Sequence, residues 1–121
     1  MIVGIGVDLV DLARFERAAS RTPRLLPRLF AGSELDGGRT LSLRSLAGRF
    51  AAKEALIKAL GESTGVRWHD MRIVADGHGN PSFELDGGVA ALAAARGITD
   101  LHLSMSHDAG LAIAYVIAER A

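Results

Sequence analysis

Residues 46–60, with the sequence LAGRFAAKEALIKAL, predict a helix that carries charged side chains but has no polar face to hold them. At helical spacing, one side of this helix is an apolar stripe of Leu46, Phe50, Ile57 and Leu60. The other side consists of small residues that suit close backbone packing: Ala51, Ala52, Ala55 and Ala59. The helix is therefore predicted to pack against other elements on most of its circumference.

Three charged residues interrupt this apolar pattern. Lys53 lies within the stripe, Glu54 lies at its edge, and Lys58 follows Glu54 by one helical turn. Because an unpaired buried charge is costly, these groups need partners: each other, a metal ion or a charged ligand. The alternative is a Glu54–Lys58 pair on a moderately exposed helix, which the same spacing allows.

Composition limits the class of protein. The 121 residues are enough for one domain, residues 1–121, and the chain has no cysteine for disulfides or thiolate metal sites. Aromatic residues are only 5%, so alanine and short aliphatic residues fill the core, which favours burial between subunits. The N-terminus lacks the basic region of a signal peptide, and no apolar run reaches about 18 residues. We expect a cytoplasmic protein without membrane association.

The net charge of zero hides a basic segment. Residues 12–58 hold ten Lys and Arg against four Asp and Glu. Five arginines are spaced three to four residues apart: Arg14, Arg17, Arg21, Arg24 and Arg28. Pro23 and Pro27 divide this stretch into two short helices with a bend. Such clustering indicates either a polyanionic partner or a solvated face, and the scarcity of aromatic residues disfavours nucleic acid.

The whole chain predicts an α+β fold with a largely antiparallel sheet and one long helix. In the first half of the chain we predict a buried strand at 2–10, helices at 11–20 and 24–30, a loop at 31–39 and the long helix ending at Leu60. In the second half we predict a hairpin, with strands at 69–75 and 82–85 and a turn at 76–81. A short helix, a strand from Leu101 and a final buried strand at 111–118 follow. Asp86 is a candidate cap for the short helix, which ends near Gly97. A tight turn at 107–110 joins the last two strands.

Asp8 is a carboxylate within an apolar strand, so it needs a partner or a metal ion. Gly4 and Gly6 leave one face of that strand bare and permit the close approach of another backbone, for which the long helix is the best candidate. That packing would bring Asp8 near Glu54. Two carboxylates without cysteine or a histidine pair suit a hard cation that keeps several waters, and Mg²⁺ with a substrate phosphate fits best.

His107 follows an alternating strand, so we expect it at the edge of the sheet and accessible. It is either a structural or solvated histidine or a donor to a phosphate. Ser104, Ser106 and Asp108 lie next to it, but proximity in sequence does not make a catalytic triad.

Three motifs together resemble the holo-[acyl-carrier-protein] synthases, the small bacterial 4′-phosphopantetheinyl transferases: GIGVDLVDLARF at 4–15, RFAAKEALIKAL at 49–60 and SMSHD at 104–108. The likeness spans essentially all 121 residues. It implies an α+β fold and a homotrimer with active sites between subunits. It also implies magnesium-dependent transfer of the 4′-phosphopantetheine arm of coenzyme A to a serine of apo acyl carrier protein, with release of adenosine 3′,5′-bisphosphate, in support of fatty-acid biosynthesis.

The resemblance also implies roles for individual residues. Asp8 and Glu54 would bind Mg²⁺, and Lys58 would stabilise or protonate the leaving phosphate. The coenzyme would be contacted by Arg49, His107 and the turn from Gly79 to Pro81. Carrier protein would dock on the basic first helix through Arg14, Arg17 and Arg21.

The base that deprotonates the acceptor serine stays open: Glu54, a metal-bound water or a contact near His107, of which we favour the water. Two other functions remain as alternatives. One is a magnesium-dependent enzyme that acts on a different nucleotide or diphosphate, and the other is a non-catalytic module that docks acidic carrier domains.

Overall fold

Two antiparallel sheets and five helices make up the part of the chain that the computed structural model describes, residues 1–36 and 41–121. The strands are β1 Ile2–Asp11, β2 Met71–Ala75, β3 Pro81–Leu85, β4 Asp100–Asp108 and β5 Leu111–Glu119. The helices are α1 Leu12–Arg21, α2 Leu25–Leu29, α3 Gly32–Asp36, α4 Leu43–Leu60 and α5 Gly87–Ala95, with a 3₁₀ turn at Trp68–Asp70. The predicted α+β class, with antiparallel pairing throughout, is confirmed.

The long helix α4 begins and ends where its sequence provides caps. The Ser45 N–H donates to Oγ of Ser42 at 3.1 Å, which satisfies one free N–H at the start. Gly61 adopts a left-handed φ of 82° and ends the helix, as predicted from its position after Leu60. Most of the helix is buried, including its alanine side and Lys53. Helix α4 is therefore the centre of the core.

The glycines of β1 allow α4 to lie directly on the strand. A Cβ atom at Gly4 would collide with the carbonyl oxygen of Ala59, and one at Gly6 with that of Ala55. Any larger residue at these two positions would push the helix away from the sheet. The predicted close approach of the alanine side to Gly4 and Gly6 is confirmed.

The larger sheet has the strand order β1-β5-β4 and is covered by α4 on one face only. Alternate residues of β5 point to the helix and are fully buried: Ala112, Ala114, Val116 and Ala118. The outer face carries apolar side chains with high exposure, such as Ile5 at 63%, Leu9 at 59% and Tyr115 at 50%. The prediction that β1 and β5 are buried strands is thus wrong for one face of each strand in the single chain.

Four further predictions need correction. Part of the predicted loop at 31–39 is the short helix α3, because the Glu34 and Leu35 N–H groups donate to the Ala31 carbonyl; residues 37–40 lie outside the described part. The predicted strand at 69–75 begins at Met71, after the 3₁₀ turn. His107 and Asp108 still belong to β4, so the turn itself is Ala109 and Gly110.

The fourth correction concerns Asp86, which precedes α5 as predicted but does not cap it with its side chain. Its carboxylate instead accepts a hydrogen bond from Nη2 of Arg72 at 2.6 Å. The Asp86 side chain therefore binds Arg72 on β2 and does not cap α5, as its position in the sequence had suggested.

The second sheet is the hairpin of β2 and β3, and a carboxylate organises its turn. Oδ1 of Asp76 accepts the N–H groups of His78 at 2.8 Å and Asn80 at 2.9 Å. Gly79 has a φ of 81°, a conformation that glycine adopts without strain. This turn fixes the start of β3 at Pro81.

Candidate active site

Asp8 and Glu54 line the same cavity, which has a volume of about 620 Å³. Asp8 lies on β1 and Glu54 on α4, and the close packing at the strand glycines brings these elements together. The floor of the cavity is apolar, from α1, α2, α4 and the 3₁₀ turn: Phe15, Leu25, Leu29, Phe50 and Trp68. The predicted proximity of the two carboxylates is confirmed as a shared cavity.

The electrostatics of this cavity favour a positive ligand. Burial raises the pKa of Glu54, and the negative charge of Asp8 raises that pKa further, while Lys58 lowers it. A cavity in which the charge of one carboxylate makes ionisation of Glu54 more costly is a suitable site for a cation. Among the described residues, no group of three or more His, Asp or Glu side chains could hold a metal ion. The chain thus offers two carboxylate ligands, the number that Mg²⁺ commonly takes from a protein before water and phosphate oxygens complete its shell.

Lys58 reaches from α4 back to β1. Its Nζ donates to the Val7 carbonyl at 2.8 Å and to Oδ1 of Asp8 at 3.2 Å. The alternative of a Glu54–Lys58 ion pair is wrong, since the salt bridge within 4 Å that Lys58 makes is with Asp8. The side chain remains 54% exposed, so its ammonium group is accessible beside the cavity.

A second cavity, of about 290 Å³, holds all four residues predicted to contact a coenzyme: Arg49, Gly79, Pro81 and His107. They come from α4, the β2–β3 turn and the end of β4, which are distant in sequence. The cavity also contains polar residues that sequence reasoning did not select: Arg44, Ser45 and Ser106. Arg44 and Ser45 lie at the start of α4, one turn before Gly48 and Arg49, and this spacing was the signal available for finding them.

Arg49 is held in this cavity by the hairpin. Its Nη1 donates to the carbonyl oxygen of Ile73 on β2 at 2.5 Å. Burial lowers the pKa of Arg49, and the negative charge of Glu34 opposes that effect. An arginine remains charged under any such shift, and its other N–H donors suit a phosphate.

The two cavities lie on different sides of α4. Arg44, Ser45, Gly48 and Arg49 border the smaller cavity, whereas Phe50 and Glu54 border the larger one. At 100° per residue these two sets project from roughly opposite faces of the helix. The residues predicted to act on one substrate are therefore divided between two sides of a single chain.

The arginines predicted to dock a partner lie on and near α1. Arg14 lines the larger cavity together with Arg28. Arg17 and Arg21 border a shallow depression on α1, beside Glu16. Arg14 thus borders the cavity of Asp8 and Glu54, whereas Arg17 and Arg21 border a separate depression.

Sequence reasoning missed the partner of Lys53. Its fully buried Nζ lies 2.7 Å from Oε1 of Glu34, and it also donates to the carbonyls of Leu29 at 2.7 Å and Trp68 at 3.0 Å. Burial lowers the pKa of Lys53, and the bond and charge of Glu34 oppose this shift. Removing one partner of such a pair typically costs about 3–5 kcal/mol. Because Glu34 lies in a segment predicted as a loop, no periodic signal marked it.

Known proteins share the sequence and the fold of this chain. The model of the 4′-phosphopantetheinyl transferase superfamily matches residues 4–116. The holo-[acyl-carrier-protein] synthase of Clavibacter sepedonicus is 65% identical over 119 residues, covering 98% of this chain and 97% of that protein. The crystal structure of holo-[acyl-carrier-protein] synthase from Neisseria meningitidis has a TM-score of 0.89 at 33% identity and covers 99% of this chain and 100% of that one. An ACPS–CoA complex from Chronobacterium ammoniagenes has a TM-score of 0.83 at 33% identity, covering 98% and 97%.

Proposed function

Since this chain belongs to the 4′-phosphopantetheinyl transferase superfamily, we propose that it transfers the 4′-phosphopantetheine arm of coenzyme A to a serine hydroxyl of apo acyl carrier protein. Relatives named holo-[acyl-carrier-protein] synthase support this activity, and so does the CoA complex of a structural neighbour. The observation that carries the proposal is the shared cavity of Asp8 and Glu54 with Lys58 beside them. Membership of a transferase family disfavours the non-catalytic alternative.

The reaction we propose is a phosphoryl transfer. The serine hydroxyl of the carrier gives its proton to a base, for which we favour a water over Glu54 or a group near His107, and its oxygen attacks the phosphorus that bears the pantetheine arm. The bond from this phosphorus to the bridging oxygen of the pyrophosphate breaks, and adenosine 3′,5′-bisphosphate leaves. Because this chemistry depends mainly on positioning and charge neutralisation, the chain needs no covalent nucleophile.

Asp8 and Glu54 are the residues that would hold Mg²⁺, and their two carboxylates fit the donor preference of that ion. When bound, the ion would neutralise charge on the pyrophosphate. Lys58 would donate a proton or a hydrogen bond to the leaving phosphate, since its ammonium group is accessible and oriented by Asp8.

Arg49 and His107 would bind the phosphates of the nucleotide half of coenzyme A. Both line the smaller cavity, where the turn with Gly79 and Pro81 provides an uncharged wall. Arg49 supplies a fixed positive charge there, held by the Ile73 carbonyl. His107 is exposed at the end of β4 and can donate to the same anionic groups.

We propose that the chain forms a homotrimer with active sites between subunits, an assembly that the same geometry supports. One chain divides its site residues between opposite faces of α4, so a neighbouring chain could bring the two cavities together. The outer face of the larger sheet offers an interface, because its exposed side chains are mainly apolar: Ile2, Ile5, Val7, Leu9, Leu111 and Tyr115. Static light scattering tests this assembly, and a monomeric mass at working concentration would overturn it.

The carrier protein would dock on α1 through Arg14, Arg17 and Arg21. Arg14 borders the cavity of Asp8 and Glu54, and Arg17 and Arg21 follow it at helical spacing on α1. An acidic partner bound there would have its serine near the two carboxylates. We further propose a role in fatty-acid biosynthesis and a location in the cytoplasm; no helix in the described ranges is long and apolar enough to cross a membrane.

The deciding experiment measures the intact mass of apo acyl carrier protein after incubation with this protein, coenzyme A and Mg²⁺. We expect a gain equal to one phosphopantetheine arm, which is lost when EDTA is added. An unchanged carrier mass, with several carriers tested, would overturn the proposed function. A mass gain that persists in EDTA would support the transferase activity but contradict its dependence on Mg²⁺.

A further inference from the structure

The backbone of one β2 residue, Ile73, lies between two charged side chains. The Ile73 N–H donates to Oε2 of Glu34 at 3.4 Å, and the Ile73 carbonyl accepts from Nη1 of Arg49 at 2.5 Å. Strand β3 pairs with the opposite edge of β2, so these side chains take the place of a neighbouring strand. Arg49 thus binds the backbone of the same residue that Glu34 binds.

Glu34 itself is fixed by contacts from several elements. Its Oε1 accepts from Nζ of Lys53 at 2.7 Å and from the Ala31 N–H at 3.0 Å. The other two donors of Lys53 bind the carbonyls of Leu29 and Trp68. Glu34 is 6% exposed and Lys53 is 0% exposed, so the pair is shielded from solvent. A carboxylate held in this way has little freedom to move.

Glu34 also acts on Arg49 through its charge. The guanidinium group is half-buried, and the negative charge of Glu34 partly compensates for that loss of solvent. Arg49 and Glu34 both border a third cavity, beside β2. Arg49 also borders the cavity of His107, whereas Glu34 does not. Glu34 is therefore placed to influence the phosphate-binding side of the molecule without touching a ligand there.

We propose that Glu34 is a positioning residue for coenzyme recognition, acting on Arg49 through the backbone of Ile73. This inference rests on the proposed function, since it takes the cavity of Arg49 and His107 as the site of the nucleotide. The buried Lys53 pairs with Oε1 of Glu34, whereas the contact that the inference uses is the one between Oε2 and the Ile73 N–H.

The test is a double-mutant cycle on coenzyme A binding, measured by isothermal titration calorimetry. The four proteins are the native chain, Glu34→Gln, Arg49→Gln and the double variant. We expect Glu34→Gln to weaken binding about 10-fold in the native background and by less than about twofold in the Arg49→Gln background. The KM for carrier protein should stay within about twofold of native in Glu34→Gln, since the carrier surface is not altered.

Lys53→Met is the matched control, because it breaks the same buried ion pair and leaves the Glu34 carboxylate beside Ile73. If the role of Glu34 is merely structural, Lys53→Met and Glu34→Gln should weaken coenzyme A binding equally, or the two losses of affinity in the double variant should be independent. Either result would overturn the inference. If Glu34→Gln does not fold by circular dichroism, Glu34→Asp keeps the charge but withdraws the carboxylate from Ile73, and the same cycle applies. Failure of the native chain to bind coenzyme A would instead overturn the proposed function, whereas native binding with unchanged Glu34→Gln affinity overturns this inference alone.

Discussion

Nζ of Lys58 lies 3.2 Å from Oδ1 of Asp8, across the contact between α4 and β1. The residue proposed to face the leaving phosphate is therefore oriented by a residue proposed to hold the metal. Because Asp8 orients Lys58, a change at Asp8 would affect both proposed functions, whereas a change at Lys58 tests its role with both proposed metal ligands kept.

Replacing Lys58 should slow the chemical step. We expect Lys58→Met to lower kcat by about 100-fold, the scale of positioned acid catalysis, with the KM for coenzyme A changed much less. Steady-state kinetics with carrier protein tests this expectation. Lys58→Arg is the control, because it keeps the positive charge beside Asp8. Equal kcat values for native and Lys58→Met proteins would contradict the assigned role.

Replacing either carboxylate of the larger cavity should impair metal use. We expect Asp8→Asn or Glu54→Gln to reduce turnover by about 100-fold or more, since a bound metal supplies several kcal/mol to such a reaction. The fold should be kept in Glu54→Gln, because burial already disfavours the charged form of Glu54.

A magnesium titration of activity, with Glu62→Gln as the control, checks this prediction. Glu62 is an exposed acid two residues beyond the end of α4. Near-native activity of Glu54→Gln across the titration would show that the metal assignment is wrong.

The close contact of β1 with α4 should make Gly6 intolerant of any side chain. We expect Gly6→Ala to lower the free energy of unfolding by about 3 kcal/mol, because the added Cβ would collide with backbone of Ala55 rather than with a movable side chain. Urea unfolding measures this change. Gly77→Ala is the matched control, since a Cβ there meets nothing within 4 Å. Similar stability losses in both variants would contradict the packing argument.

The β2–β3 turn should lose order in acid. Hydrogen bonds from Asn80 and then from His78 hold the pKa of Asp76 below its ordinary value of 3.8. A depressed folded-state pKa gives stability that is present above the unfolded value and is lost as pH falls through the folded value. The loss therefore lies below pH 3.8. Amide resonances of His78 and Asn80, followed by NMR, should shift with a midpoint there, and Asp76→Asn should abolish the shift. A midpoint above pH 3.8 would contradict this prediction.

Charge reversal on α1 should affect the carrier and spare the coenzyme. We expect Arg14→Glu with Arg21→Glu to raise the KM for carrier protein about 10-fold and to weaken its salt dependence, as surface charges do in association. Arg120→Glu, outside the basic segment, is the control for net charge. If the carrier KM does not change, the arginines form a solvated face.

Much of the fold could be predicted because its signals are local. The extent of α4 follows from its apolar period and from Gly61, and the alternation in β4 marks a half-buried strand. The contact of Gly4 and Gly6 with the alanine side of α4 was predictable as well, since both partners are marked by small residues. Helix α3 was not predictable in this way, because five residues provide no periodic pattern.

The sequence by itself determined the residue types of the proposed site: two carboxylates, a lysine one turn after the second of them, and arginine and histidine groups that we propose bind an anion. These features depend on residue type and on spacing within one helix or strand, and both can be read from residues that are close in the chain. Only the tertiary structure decided the pairing. Lys58 binds Asp8, 50 residues away, rather than Glu54, and Lys53 binds Glu34, 19 residues away. The physical reason is that an ion pair between elements forms where tertiary packing brings the two groups together, which no local pattern encodes.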